Sequence, residues 1–363
     1  MARWLARQPR ISSEPSRREL GPAAAITLGM RTQLLTACCC IVVGCASSLE
    51  PTDEVDTVSV AAEFDSSVGA AQQLPQADTV TLTVLRNAMF PATPDAAYEA
   101  MAASEQAVFQ QVIVTMWQGV TAVNYSALAR SSARIGFEVK HVEVNSIELW
   151  LLREDAAHRR GRGVYLFRAG SPAVRSILLE APHVYFDIGT GAIAVAAFLA
   201  DAGGREHALF GNSSHRYQSN TSASNGENPA DPAHNESHPM HVATAAVMQT
   251  TAVTVVQLHG FGASANIPAT FSAIVSAGVA AGSTVTSTRV ADSMAEVLTG
   301  TTVRYPEQTA AMGATTNVQG QYARGLGMAF VSIEMSYPVR TALAADPVAA
   351  ALLGAAIVAA IPK

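Results

Sequence analysis

Two histidines and three acidic residues fall where short apolar runs end. His183 and Asp187 follow Ser176 to Leu179 in the stretch Glu180-Ala-Pro-His183-Val-Tyr-Phe-Asp187-Ile-Gly189-Thr190. His259 closes the run Val253 to Leu258, and Glu334 sits late in Phe330-Val-Ser-Ile-Glu334-Met335. Two imidazoles and a carboxylate around an open position form the hydrolytic zinc arrangement, in which borderline-soft donors hold the ion and the open position activates water. His183, His259 and Asp187 are therefore the expected Zn2+ ligands. Glu180 is the alternative acid, or a residue that orients an imidazole from outside the ligand set. Glu334 is expected to serve as general base and then as acid toward a leaving nitrogen. Arg216, in Asn212-Ser-Ser-His-Arg216, follows another apolar run and suits a substrate carboxylate or carbonyl oxygen, with Arg340 as a second candidate.

Residues so far apart in sequence can meet only if strands carry them to one edge of a sheet. From Val80 onward, apolar runs of strand length alternate with alanine-rich stretches of helical length, the pattern of an α/β domain with a largely parallel sheet. Strands are expected at Ser176 to Glu180, His207 to Phe210, Val253 to Leu258 and Ala329 to Ile333. Helices are expected over Asp95 to Trp117, Ala192 to Ala202, Val242 to Met248 and Asp346 to Ile361. In parallel sheets the site forms at the carboxyl ends of the strands, so both imidazoles are expected in one crevice. Tyr217 to Pro239, rich in Ser, Asn, Pro and Gly, reads as a long loop.

These residues resemble a known family. Ala181-Pro-His183 through Asp187-Ile-Gly-Thr190 looks like the zinc motif of the bacterial and phage poly-γ-glutamate hydrolases, and Leu258-His259-Gly260 looks like their later histidine ligand. Gly313-Ala-Thr-Thr-Asn317, then Val331-Ser-Ile-Glu334-Met335 and Arg340, resembles the asparagine segment and glutamate-bearing terminal strand of those enzymes. The likeness spans roughly 176–340. The His-to-acid spacing is one residue shorter here, and Val184-Tyr-Phe186 replaces the family's glycines. The resemblance implies a zinc-carboxypeptidase-like fold, three layers α/β/α around a mixed central sheet. It also implies an amide hydrolase with Asn317 and Arg340 on the substrate, which would be a peptide or a glutamyl polymer.

Rival readings share the same residues. Val184-Tyr-Phe-Asp187-Ile-Gly189-Thr-Gly191-Ala-Ile-Ala194 also resembles the first motif of Rossmann-like methyltransferases, although Ala194 stands where a third glycine belongs. His234, His238 and His241, four and three apart, could bind metal from one helical face, but Pro239 and the polar flanks favour solvent-exposed rings, with His234 or His241 lining the cleft. Asp187 could simply cap a helix starting near Thr190. A binding or scaffold module on the same fold is the non-enzymatic alternative. No Gly-x-Ser-x-Gly elbow, Walker lysine or Cys-x-x-Cys is present.

The front of the chain reads as an address. Met30-Arg31, the apolar run Leu34 to Val43 and Val42-Val-Gly-Cys45 resemble a bacterial lipoprotein signal over 30–45, with Cys45 as the lipidated residue. The arginine-rich residues 1–29 precede it as an extension with no expected fold. The acidic stretch 46–79 reads as a flexible tether to a domain over 80–363. A membrane is thus expected as a partner through the lipid anchor, in the cell envelope. All four cysteines lie between Cys38 and Cys45, so nothing after Cys45 offers a disulfide or thiolate site. With 49% hydrophobic residues the 363-residue chain can bury a large core. A net charge of −6 and only two lysines, Lys140 and Lys363, leave no basic stripe for nucleic acid.

Overall fold

The computed structural model describes residues 73–172, 176–221 and 228–363. The extension 1–29, the signal-like segment 30–45 with Cys45, and the tether up to residue 72 lie outside the described residues. The first described element is an edge strand, β1 (Asp78–Thr79), a little before Val80. Then come α1 (Leu82–Met89), α2 (Ala103–Gln118), α3 (Tyr125–Arg134), β2 (Phe137–Val144), β3 (Ile147–Glu154) and β4 (Val164–Arg168). The central part alternates β5 (Ile177–Ala181), α4 (Thr190–Ala200), β6 (Glu206–Gly211), α5 (Pro239–Thr250) and β7 (Thr254–Phe261). It closes with β8 (Phe271–Ser276), α6 (Val285–Val297), β9 (Thr301–Arg304), α7 (Val318–Gly325), β10 (Phe330–Ser336), α8 (Tyr337–Ala345) and α9 (Pro347–Ala360).

The ten strands among the described residues join one mixed sheet in the order β1-β2-β3-β4-β6-β5-β7-β10-β8-β9. Its middle, β6-β5-β7-β10, is wholly parallel, while β2, β3 and β4 form an antiparallel arm and β8 runs against β10. Parallel strands covered on both faces must be apolar on both, and β5 shows it. Ile177, Leu179 and Ala181 pack with α1, α4, α6, α8 and α9, while Leu178 packs with α2, α5 and α7 on the opposite face. The result is a three-layer α/β/α domain. Helix α9 contains no charged residue, but it lies on α4 with Gly354 against Ala197, where a Cβ would come 2.5 Å from the Ala197 Cα. Among the described residues no single helix is long and apolar enough to cross a membrane.

Two expectations need correction. The helix expected from Asp95 starts only at Ala103, because the Tyr98 backbone bridges to the 218–220 segment, donating to the Gln218 carbonyl and accepting from the Asn220 N–H. The histidines expected in solvent are largely inside. His238 and His241 are buried, Pro239 starts α5 instead of breaking it, and the His238 Nδ1 caps that helix by accepting from the Met240 N–H.

Candidate metal centre

The site lies at the carboxyl ends of β5, β7 and β10. The chain steps from β5 to β6 on one side and later to β7 on the other, and such a reversal opens a crevice at the strand ends. His183 enters it from the turn after β5. The backbone N–H groups of Phe186 and Asp187 both donate to the His183 carbonyl, at 2.9 and 2.6 Å, which winds the turn and brings the Asp187 carboxylate back beside the imidazole. The turn ends at Gly189, whose φ of 100° favours glycine and whose added Cβ would lie 3.1 Å from the Arg340 carbonyl oxygen. Asp187 caps nothing with its side chain; only its carbonyl accepts from Thr190.

His259 stands on β7, and Glu334 is its direct partner across the parallel ladder on β10. The two side chains therefore emerge on the same face of the sheet.

Three donors converge. The Nδ1 atoms of His183 and His259 are 3.2 Å apart, and Asp187 Oδ2 lies 3.5 and 3.6 Å from them. Ligands held 2.0–2.1 Å from a tetrahedral zinc stand about 3.3–3.4 Å apart, so the spacing fits that ion. Among the described residues this is the only cluster of histidine, cysteine and acidic side chains close enough to share a metal.

Hydrogen bonds outside the cluster decide which nitrogen faces in. Asn317 Oδ1 accepts from the Gly320 N–H, so its Nδ2 is the end that donates to Gln257 Oε1, at 2.7 Å. Gln257 must then turn its Nε2 to Glu180, at 2.7 Å, and its Oε1 is left to accept from His259 Nε2 at 2.9 Å. That places the His259 proton on Nε2 and the lone pair on Nδ1, toward the cluster. His183 is set the same way by Asp231, whose Oδ1 accepts from His183 Nε2 at 2.8 Å. A carboxylate or amide behind each ligating imidazole fixes its tautomer and raises its basicity.

Asp231 is a hub. It also accepts from the Ala233 N–H, from His234 Nδ1 at 3.1 Å and from Arg216 Nη2. Burial by itself would raise its carboxyl, yet the bonds from His183 and His234 hold it far below the ordinary carboxylate range. Asp187 behaves alike: burial opposes ionisation, and the two imidazoles more than offset it. Glu334 differs. Burial pushes its carboxyl up to about 7, against the pull of His259, and no hydrogen bond or ion pair to a described residue ties it down. A poised and unengaged carboxylate is what a proton carrier requires.

The remaining expected residues take distinct places. Glu180 is buried between Thr244 Oγ1 and Gln257 Nε2 and does not reach the cluster, so it supports His259 through Gln257 instead of replacing Asp187. Asn317 is buried, with its amide engaged by Gly320 and Gln257, which makes it part of the same support. Arg340 is buried and donates to the carbonyls of Met335, Ile188 and Phe261. Its guanidinium fits over Gly260, where a Cβ would fall 2.0 Å from Nε, and it forms no ion pair with Glu334. Arg216 stands in the site, with Nη1 3.2 Å from His183 Nδ1 and its guanidinium 5.3 and 5.2 Å from the ring centres of Phe186 and Tyr217. Sequence reasoning missed Asp231 and Gln257. In the methyltransferase alternative Gly191 would face a cofactor, but here it faces the Phe90 ring and Val184.

No protein-family profile and no curated protein matches this chain. Some solved structures match it in part. A metallo-carboxypeptidase from Burkholderia cenocepacia is 10% identical, over 72% of this chain and 69% of that one, with a TM-score of 0.34. An aspartoacylase family protein from Mesorhizobium loti is 14% identical over 60% and 67%, with a TM-score of 0.31. The tripeptide-bound cell shape determinant Csd4 of Helicobacter pylori is 14% identical over 52% of each chain, with a TM-score of 0.33. Likenesses of this size leave function to be argued from the side chains.

Proposed function

We propose that the protein is an exported, lipid-anchored, zinc-dependent hydrolase of amide bonds. One observation carries the reading: two imidazole Nδ1 atoms and the Asp187 carboxylate meet at zinc-ligand spacing beside Glu334, a carboxylate with no hydrogen bond or ion pair to a described residue. When bound, zinc would supply Lewis-acid polarisation of the substrate carbonyl and a lowered pKa for water. His183, Asp187 and His259 would hold it. Glu334 takes the proton of the attacking water on its carboxylate and delivers it to the leaving nitrogen. Arg216, fixed by Asp231 and two rings, donates to the substrate's oxygen. The motif order His183, Asp187, His259, Glu334 supports a peptide or γ-glutamyl amide as substrate, and Val42-Val-Gly-Cys45 supports the envelope anchor.

One contact favours the second reading, a non-catalytic binding module: Arg216 Nη1 donates to the same His183 Nδ1 that a metal would use. Metal analysis of the full chain separates the two. One zinc per chain is expected, lost in His183→Ala and in His259→Ala. Glu334→Gln should keep the zinc while ending hydrolysis across a panel of N-acyl amino acids and γ-glutamyl peptides. Zinc retained in both histidine variants refutes the centre; turnover unchanged in Glu334→Gln refutes the base.

A further inference from the structure

Three large aromatic rings are exposed among the described residues, and all three stand at this site: Phe186 at 47%, Tyr217 at 57% and Tyr337 at 55% exposure. Phe186 precedes the ligand Asp187 in the same turn. Its ring meets that of Tyr217 edge-on, with centres 5.3 Å apart and planes at 87°, and Arg216 approaches both rings. Ile188, 64% exposed, continues the apolar rim, and its carbonyl is held at 2.6 Å by Arg340, whose guanidinium lies 5.7 Å from the Tyr337 ring. Single exposed apolar residues are ordinary, but clustering of such rings at the mouth of a polar site marks a contact surface.

Charge points the same way. An acidic polymer would need uncommitted cations at the mouth. Arg340 is held by three backbone carbonyls, and Arg216, paired with Asp231, is given to the oxygen of the scissile amide, so neither is left for further carboxylates along a polymer. What the rim still offers is apolar area and ring faces, with the His215 imidazole 6.0 and 5.8 Å from the ring centres of Phe186 and Tyr217.

Resting on the hydrolase reading above, we propose that Phe186 and Tyr217 form a specificity subsite for an apolar, preferably aromatic, side chain next to the scissile amide. The enzyme then selects hydrophobic peptides or N-acyl aromatic amino acids over polyglutamyl chains. Both residues act by contact with the substrate side chain and take no part in proton transfer.

The test compares two probes that differ only at the apolar end. Zinc-loaded full chain is titrated calorimetrically with 3-phenylpropanehydroxamate and with acetohydroxamate. The phenyl compound should bind at least about tenfold tighter, the value of burying one such ring. Tyr217→Ser, and Phe186→Ser with it, should cut that preference, taken as the ratio of the two affinities in the same variant, below about threefold while zinc content holds. No preference in the parent chain, or an undiminished one in the double variant, overturns the subsite. Because Phe186 adjoins a ligand, Tyr217→Ser alone must already reduce the preference. A second arm needs no metal: saturation-transfer NMR on the metal-free full chain should label the phenyl protons of N-acetyl-L-phenylalaninamide, and Tyr217→Ser should weaken the transfer. Transfer without any hydroxamate binding would sink the zinc centre and leave the aromatic subsite standing; absent transfer would sink the subsite alone.

Discussion

His183 Nε2 and Asp231 Oδ1 are 2.8 Å apart, across a stretch of 48 residues that includes a whole helix and strand. The bond turns the Nδ1 lone pair of His183 toward His259 and Asp187, so the metal centre depends on a residue that would not touch the metal. Replacing Asp231 by Asn keeps the shape and removes the charge behind the imidazole. Zinc affinity of Asp231→Asn should fall by roughly 10–100-fold with the circular dichroism spectrum intact. Competition against a fluorescent chelator measures it, and an unchanged affinity would show that His183 needs no such support.

Arg216 presents the opposite case. Its Nη1 donates to the ligating lone pair of His183 and sets a positive charge beside the ions a metal must join. Removing it relieves that competition and leaves Asp231 to His183, His234 and the Ala233 N–H. Arg216→Ala should therefore bind zinc more tightly, by up to about tenfold, while hydrolysis falls because the substrate oxygen loses its donor. The same chelator competition reads the first effect and initial rates the second. Weaker zinc binding would mean that Arg216 chiefly holds Asp231 in place.

The parts of this site that could be read from sequence are those that regular strands deliver. Apolar runs locate β5, β7 and β10 within a few residues, and anything just past their ends is carried to one edge, so His183, His259 and Glu334 were recognisable. Asp231 lies in Pro229-Ala-Asp231-Pro, a polar turn with no periodicity, and its role exists only through the tertiary bond to His183. Gln257 was hidden differently. It sits inside an apolar strand, where a lone polar residue looks like an imperfection, and only its place beside Glu180 in the β5–β7 ladder shows that it completes a buried relay. The antiparallel arm β2-β3-β4 escaped because Glu, Lys, His and Arg interrupt its apolar pattern along a partly solvated face. His238 and His241 looked exposed because their neighbours are polar, whereas packing of α5 against α2 and α7 buries them.

Glu334 should govern the acid side of the rate profile. Burial raises its carboxyl to about 7, and a base works only when ionised, so kcat/KM should fall as pH drops through a midpoint at or below about 7. A dication nearby favours the carboxylate and can only move that midpoint down. The profile should be recorded on whichever N-acyl amino acid of the panel turns over fastest. A rate that stays flat from pH 8 to pH 4 would exclude a titrating glutamate from the rate-limiting step.

Glu206 offers a test of the fold that is independent of the site. At the start of β6 both of its carboxylate oxygens are buried without a hydrogen-bond partner among the described residues, while its backbone N–H donates to Asp201 Oδ2 at 2.6 Å. Burial first, and then the nearby Asp201 charge, push its carboxyl up to about 8. The folded protein therefore binds this proton more tightly than the unfolded chain does. Its contribution to stability is complete below the ordinary glutamate pKa near 4.5 and is lost as pH rises through about 8. Glu206→Gln has no proton to lose. Relative to the parent chain it should gain roughly 2–4 kcal/mol between pH 5 and pH 8, on the order expected for a shift of this size. Urea unfolding at several pH values reads the difference directly, because the other raised carboxyls, Asp95, Glu154, Glu180 and Glu334, are common to both chains. A difference that stays constant across that range would mean that Glu206 is ionised in the folded state and is compensated there.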